Sequence, residues 1–163
     1  MATSQDNRAP GAHGRAFAQQ SELLFEVPPR ALPRRDLGEF ARTLQEEVAG
    51  GRPFCCLIAG DEELRRLNRQ FRRKDHATDV LSFPSERGAV SIGEIAISLD
   101  RAREQAAEFG HDVAAEVRIL MLHGILHLLG MDHERDNGAM ARMEKRWRKR
   151  LGLPSALTER VRA

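Results

Sequence analysis

Residues 112–130, DVAAEVRILMLHGILHLLG, constrain the chain more than any other stretch. Asp112 suits a helix N-cap and Gly130 a helix stop, and between Ile119 and Leu129 the helix they bound is apolar on nearly every side. Such a helix needs cover all round, which predicts a central buried helix with the remaining elements built about it. Yet HGILHLLGMDH (123–133) places three of the chain's six histidines in and just after this apolar run. Burying an imidazole without a partner costs free energy, so the three need an explanation.

Their spacing supplies one. His123 and His127 are four residues apart, hence about 40° apart around a helix and one turn apart along it. One helix face can therefore offer two nitrogens to one metal ion. Gly130 can take the left-handed conformation that ends the helix, so the chain can bring His133 back as a third ligand. Three protein ligands leave a fourth tetrahedral position open, the pattern of a catalytic zinc site. Two simpler readings stand beside this: core histidines satisfied by backbone carbonyls, and chance spacing. The pattern also resembles the zinc-peptidase motif H-E-x-x-H-x-x-G-x-x-H, but Gly124 stands where that motif has its general-base glutamate.

The rest of the chain predicts one domain of about 22–152, between a polar leader (1–21) and a loose tail (153–163). LLFEV (23–27), PFCCLIA (53–59), TDVLSFP (78–84) and VSIGEIAIS (90–98) read as strands. Helices are expected from a capping box at Asp36 and Glu39 to about Gly50, over EELRRLNRQFR, from an N-cap at Asp100 to about Phe109, and over 137–151. The class is α+β: one mixed sheet of about four strands packed against helices, with the metal ligands on the buried central helix. Cys55 and Cys56 are adjacent, so they should point to opposite faces of a strand as reduced thiols, which fits a cytoplasmic protein. No apolar run is long enough to predict a membrane span. Among the remaining histidines, His13, His76 and His111 sit in polar or turn contexts and read as surface residues.

Charge is unevenly spread. Residues 135–163 carry +6 and the preceding 134 carry −4. The stretches RRLNRQFRRK (65–74) and RMEKRWRKR (142–150) each hold six basic residues, a pattern that suggests a polyanionic partner, although such runs are commonly just solvated helix faces. Trp147, the sole tryptophan, reads as a core-packing residue rather than a base-stacking one.

Three motifs in order resemble the YbeY family of bacterial ribonucleases and rRNA maturation factors: LNRQFRRKDHATDVLSFP (67–84), IGEIAIS (92–98) and HGILHLLGMDH. Met131 departs from the family's usual tyrosine, at a position that is not a ligand. The resemblance implies one zinc ion on His123, His127 and His133, and a functionally required Arg72. It further implies an endoribonuclease acting on single-stranded RNA, in 16S rRNA 3′-end maturation and ribosome quality control. The partners it implies are rRNA, the small ribosomal subunit and assembly proteins, without membrane association.

From spacing alone Arg72 is a solvated surface arginine; under the resemblance it holds a phosphate by a two-pronged hydrogen bond. Thr78, Asp79 and Ser82 are candidates to line the cleft, and Asp132 to orient a ligand histidine or to cap a turn. Glu94 is a weak candidate for the general base, which the sequence does not identify. Two other functions compete with the nuclease, a non-catalytic zinc-containing ribosome-assembly factor and a zincin-like metallopeptidase.

Overall fold

Cys55 and Cys56 part company across a sheet, and that alternation organises the domain. In the computed structural model, which describes residues 19–76, 78–131 and 137–154, four strands form one sheet. These are β1 (Glu22–Phe25), β2 (Phe54–Ala59), β3 (Val80–Pro84) and β4 (Gly93–Ser98), in the spatial order β1-β2-β4-β3. β1 and β4 run parallel to β2, while β3 is antiparallel to β4, so the sheet is mixed as expected. Phe54, Cys56 and Ile58 join one apolar cluster and Leu57 and Ala59 the other, which assigns alternate residues to opposite faces.

The helices are α1 (Arg34–Glu47), α2 (Asp61–Arg72), α3 (Leu99–Phe109), α4 (Val113–Leu128) and α5 (Ala139–Leu151). α1 and α4 share the larger cluster with Phe54, Cys56, Ile58, Ile95 and Ile97. α2 closes the opposite face, with Leu64 and Leu67 packed against Ala59, Leu81 and Ala96. α4 is the predicted central helix: Ile119, Leu120, Met121 and Leu122, four residues that point in four directions around it, are all fully buried. Each such side chain contributes about 1.5–3 kcal/mol through burial. Neither cysteine is in a disulfide; Cys56 is buried and Cys55 half-buried. Burial, followed by the neighbouring Cys55, pushes the Cys56 thiol well above its usual range.

Three local expectations change. α1 begins at Arg34 behind Pro33 with no side-chain cap, so the Asp36/Glu39 capping box does not form. Proline suits a helix start because it has no N–H to satisfy, and Asp36 falls in the first turn, where it favours the dipole. Asp100 does not cap α3; Ser98 does, its Oγ accepting from the Arg101 amide at 3.1 Å. Asp100 instead accepts from the Asp61 amide at 2.8 Å, and Ser98 Oγ donates to Asp61 Oδ1 at 2.7 Å. The start of α2, behind side-chain-less Gly60, thus takes its cap from α3. β4 starts at Gly93 rather than near Val90, because the Arg52 guanidinium occupies the carbonyls of Ala89, Val90 and Ser91 at 3.0–3.4 Å.

The leader through residue 18, His13, Asp132, His133 and the tail from residue 155 lie outside the described residues. Among the described residues no helix is long and apolar enough to cross a membrane.

Candidate functional site

α4 opens as predicted, with Asp112 Oδ1 accepting from the Ala115 amide at 2.7 Å. Three turns on, it presents His123 and His127 side by side. Their Nε2 atoms are 3.1 Å apart, with ring centroids at 4.7 Å and planes crossed at 73°. Two imidazoles on one tetrahedral zinc, at Zn–N distances of about 2.0–2.1 Å, hold their nitrogens about 3.3 Å apart. The pair therefore fits a shared ion. Beyond the helix, Gly130 takes φ +92, the left-handed conformation that a glycine at this position allows. Among the described residues no group of three or more potential ligands converges, and the third predicted ligand, His133, lies outside them.

On the far side of His123, Nδ1 lies 3.1 Å from Oε2 of Glu144, a fully buried carboxylate on α5. In the basic stretch RMEKRWRKR Glu144 is the one acid, and the charge pattern alone gives it no partner. The available signal was its position: it shares a helical stripe with Met140, Met143, Trp147 and Leu151, all packed against the core. An acid on an apolar stripe needs a partner, and here the partner is a histidine.

Gly124 faces away from the histidines, toward the sheet. A Cβ built there would lie 2.9 Å from Ile95 Cγ2 and 3.3 Å from Ile95 Cδ1, so only glycine lets α4 approach β4 this closely. The position that carries the base in zinc peptidases is thus taken up by helix–sheet packing. Ser82 Oγ on β3 donates to the Gly124 carbonyl at 3.3 Å, and the Ser82 carbonyl accepts from Arg72 Nη2 at 2.7 Å. Arg72, the last residue of α2, is tied through the edge strand β3 to the backbone next to His123. Ser82 faces the site layer; Asp79 makes structural bonds instead, from Gln105 Nε2 at 3.1 Å and from the Val80 amide at 2.8 Å.

Glu94 does not face the site. Its neighbour Ile95 packs on Gly124, so Glu94 points through the opposite side of the sheet, and it cannot serve as base to the histidine pair. Desolvation by burial raises its carboxyl from the ordinary 4.5 to about 7, and Oε2 has no hydrogen-bond partner among the described residues. A raised carboxyl binds its proton more tightly in the folded chain, so stability falls as the pH climbs from about 4.5 to about 7. Glu94→Gln is therefore expected to match the wild type in Tm near pH 4 and to exceed it at pH 8. A Tm difference that stays constant from pH 4 to 8 would refute this account of Glu94.

Other side chains also depart from expectation. His111 is not a surface residue: its side chain is 11% exposed, and Nε2 meets Oε2 of the fully buried Glu116. The cause is Gly110, whose left-handed turn folds the α3–α4 connection onto the first turn of α4. His76 is exposed, as predicted. Within 65–74, Arg65 pairs with Asp75 at 2.8 Å and Arg66 with Glu63 at 2.6 Å, so part of that basic face is neutralised. On α5, Arg148 is buried, whereas Arg142, Lys145, Arg146, Lys149 and Arg150 are exposed. Trp147 packs on the core as expected, with the Arg150 guanidinium 5.2 Å above its ring.

The fold is an α+β domain built about one buried helix that carries two adjacent histidines. Residues 38–152 match the family model described as Endoribonuclease YbeY, and the chain belongs to that family. It is 61% identical over 143 residues to the Endoribonuclease YbeY of Solibacter usitatus, covering 88% of this chain and 96% of that one. To the Endoribonuclease YbeY of Nautilia profundicola it is 54% identical over 105 residues, covering 64% of this chain and 76% of that one. A solution structure of a Thermotoga maritima protein superposes with a TM-score of 0.56 at 30% identity, over 78% of this chain and 85% of the other.

Proposed function

We propose that this chain is a zinc-dependent endoribonuclease of the cytoplasm, specific for single-stranded RNA, acting in 16S rRNA 3′-end maturation and ribosome quality control. Its substrate is rRNA, met on the small ribosomal subunit together with assembly proteins. His123, His127 and His133 hold one zinc ion, and Arg72 is the catalytic arginine. The observation that carries this reading is the 3.1 Å approach of the two Nε2 atoms in a chain of the endoribonuclease family.

Bound at these nitrogens, zinc would supply a Lewis acid for a phosphoryl oxygen and lower the pKa of water to about 7. The chain's own residues do the remaining work. Arg72 commits one of its five N–H donors to the Ser82 carbonyl, which fixes the planar guanidinium at the β3 edge. From there it grips two oxygens of one phosphate and offsets the charge that develops on cleavage. The exposed cations of α5 and of the α2 end attract the RNA backbone without reading bases, which makes binding strongly salt-dependent.

The test is cleavage of single-stranded and duplex RNA by the purified protein before and after chelation. Single-stranded RNA alone is expected to be cut, with activity lost on metal removal and restored by one zinc per chain. Cleavage that survives complete metal removal, or that ignores strandedness, would contradict the proposal.

A further inference from the structure

We infer that Glu144 is the positioning residue of the histidine pair, fixing which nitrogen of His123 carries the proton and where the other nitrogen points. The inference rests on the zinc reading proposed above and concerns a residue of α5, a helix that supplies no ligand.

A carboxylate oxygen accepts hydrogen bonds and an imidazole N–H donates them, so the 3.1 Å approach of Glu144 Oε2 to His123 Nδ1 assigns the ring proton to Nδ1. Nε2 then keeps its lone pair, and that is the nitrogen 3.1 Å from His127 Nε2. With the opposite tautomer, Nε2 would carry a hydrogen toward the place an ion must occupy. A carboxylate holding the outer nitrogen of a metal-binding imidazole sets both its tautomer and its ring orientation.

The surroundings make this contact selective. Glu144 is 0% exposed and His123 7%, so water does not compete for the bond. A second buried histidine–carboxylate contact among the described residues, His111 with Glu116, engages Nε2 at the opposite end of α4, away from the histidine pair. At His123, by contrast, the carboxylate takes one ring nitrogen while the second faces another imidazole.

Two variants and two readouts test the inference on the full chain. Zinc affinity is measured by competition with a chromophoric chelator, and the His123 tautomer by long-range 15N–1H correlation in the metal-free protein. In the wild type His123 is expected as the Nδ1–H tautomer. Glu144→Ala is expected to bind zinc about 10–100-fold more weakly and to lose that tautomer preference. Glu144→Gln keeps the side-chain volume and one acceptor oxygen, so it protects the fold and should fall between the two in affinity. A merely structural role would change stability but leave the His123 tautomer as it is. Zinc binding in both variants as tight as in the wild type would overturn the inference, as would a wild-type His123 protonated on Nε2. A wild-type chain that takes up no zinc would instead overturn the metal reading itself, with the tautomer still deciding what Glu144 does.

Discussion

Arg72→Ala and His127→Ala should both remain folded and both lose RNA cleavage, for reasons that metal analysis separates. His127 lies half-buried near the end of α4, and alanine is the better helix former by up to about 0.7 kcal/mol, so its loss does not threaten the helix. The variant does lose one of the two nitrogens that sit 3.1 Å apart, so it is expected to bind no zinc. Arg72 is exposed and, among the described residues, its side chain bonds a carbonyl of the edge strand, so its truncation leaves the core and the histidines untouched. Arg72→Ala is expected to bind zinc like the wild type yet to cleave RNA on the order of 10²-fold more slowly or worse, the cost of removing one preorganised donor from developing charge. Zinc content and cleavage rate on the same samples check both. Loss of zinc in Arg72→Ala would show that the arginine supports the metal site rather than the phosphate.

The second large effect is expected at Gly124. Gly124→Glu should not yield a folded protein. The first carbon of the new side chain already lies 2.9 Å from Ile95 Cγ2, and Ile95 is itself 1% exposed. Overpacking costs about 1–3 kcal/mol. An unpartnered buried carboxylate adds several more, against a total stability of about 5–15 kcal/mol for a domain. Gly124→Ala isolates the packing part: overpacking partly offset by about 1 kcal/mol of helix propensity, for a net loss of roughly 0–2 kcal/mol. Denaturant unfolding of both variants measures this. A Gly124→Glu chain with wild-type stability would mean that position 124 faces the open site after all, and the peptidase comparison would regain its force.

Gly124 also shows where reading the sequence stops. As a missing glutamate it argued against a peptidase. Its positive role, the close approach of α4 to Ile95, depends on a strand 29 residues earlier that no local pattern could place there. The histidine pair was legible because i and i+4 fall on one helix face whatever surrounds them. The sheet was legible in outline, since apolar runs between turn residues mark strands, and alternation separated Cys55 from Cys56. What escaped was long-range. Asp100 looked like the cap of its own helix and caps α2 instead. His111 looked exposed and is folded onto Glu116, and Glu144 looked like one acid in a basic run and proves to hold His123. Glu94 missed the site by one residue, because a single step along a strand moves a side chain through the sheet.

The most direct test of the central claim is cleavage of one single-stranded RNA by three chains purified in parallel: wild type, Arg72→Ala and His127→Ala, each shown to be folded. Cleavage by the wild type alone is the predicted result, with zinc present in the wild type and Arg72→Ala and absent from His127→Ala. Equal cleavage by all three would trace the activity to a contaminant and contradict the assignment of this site as a ribonuclease centre.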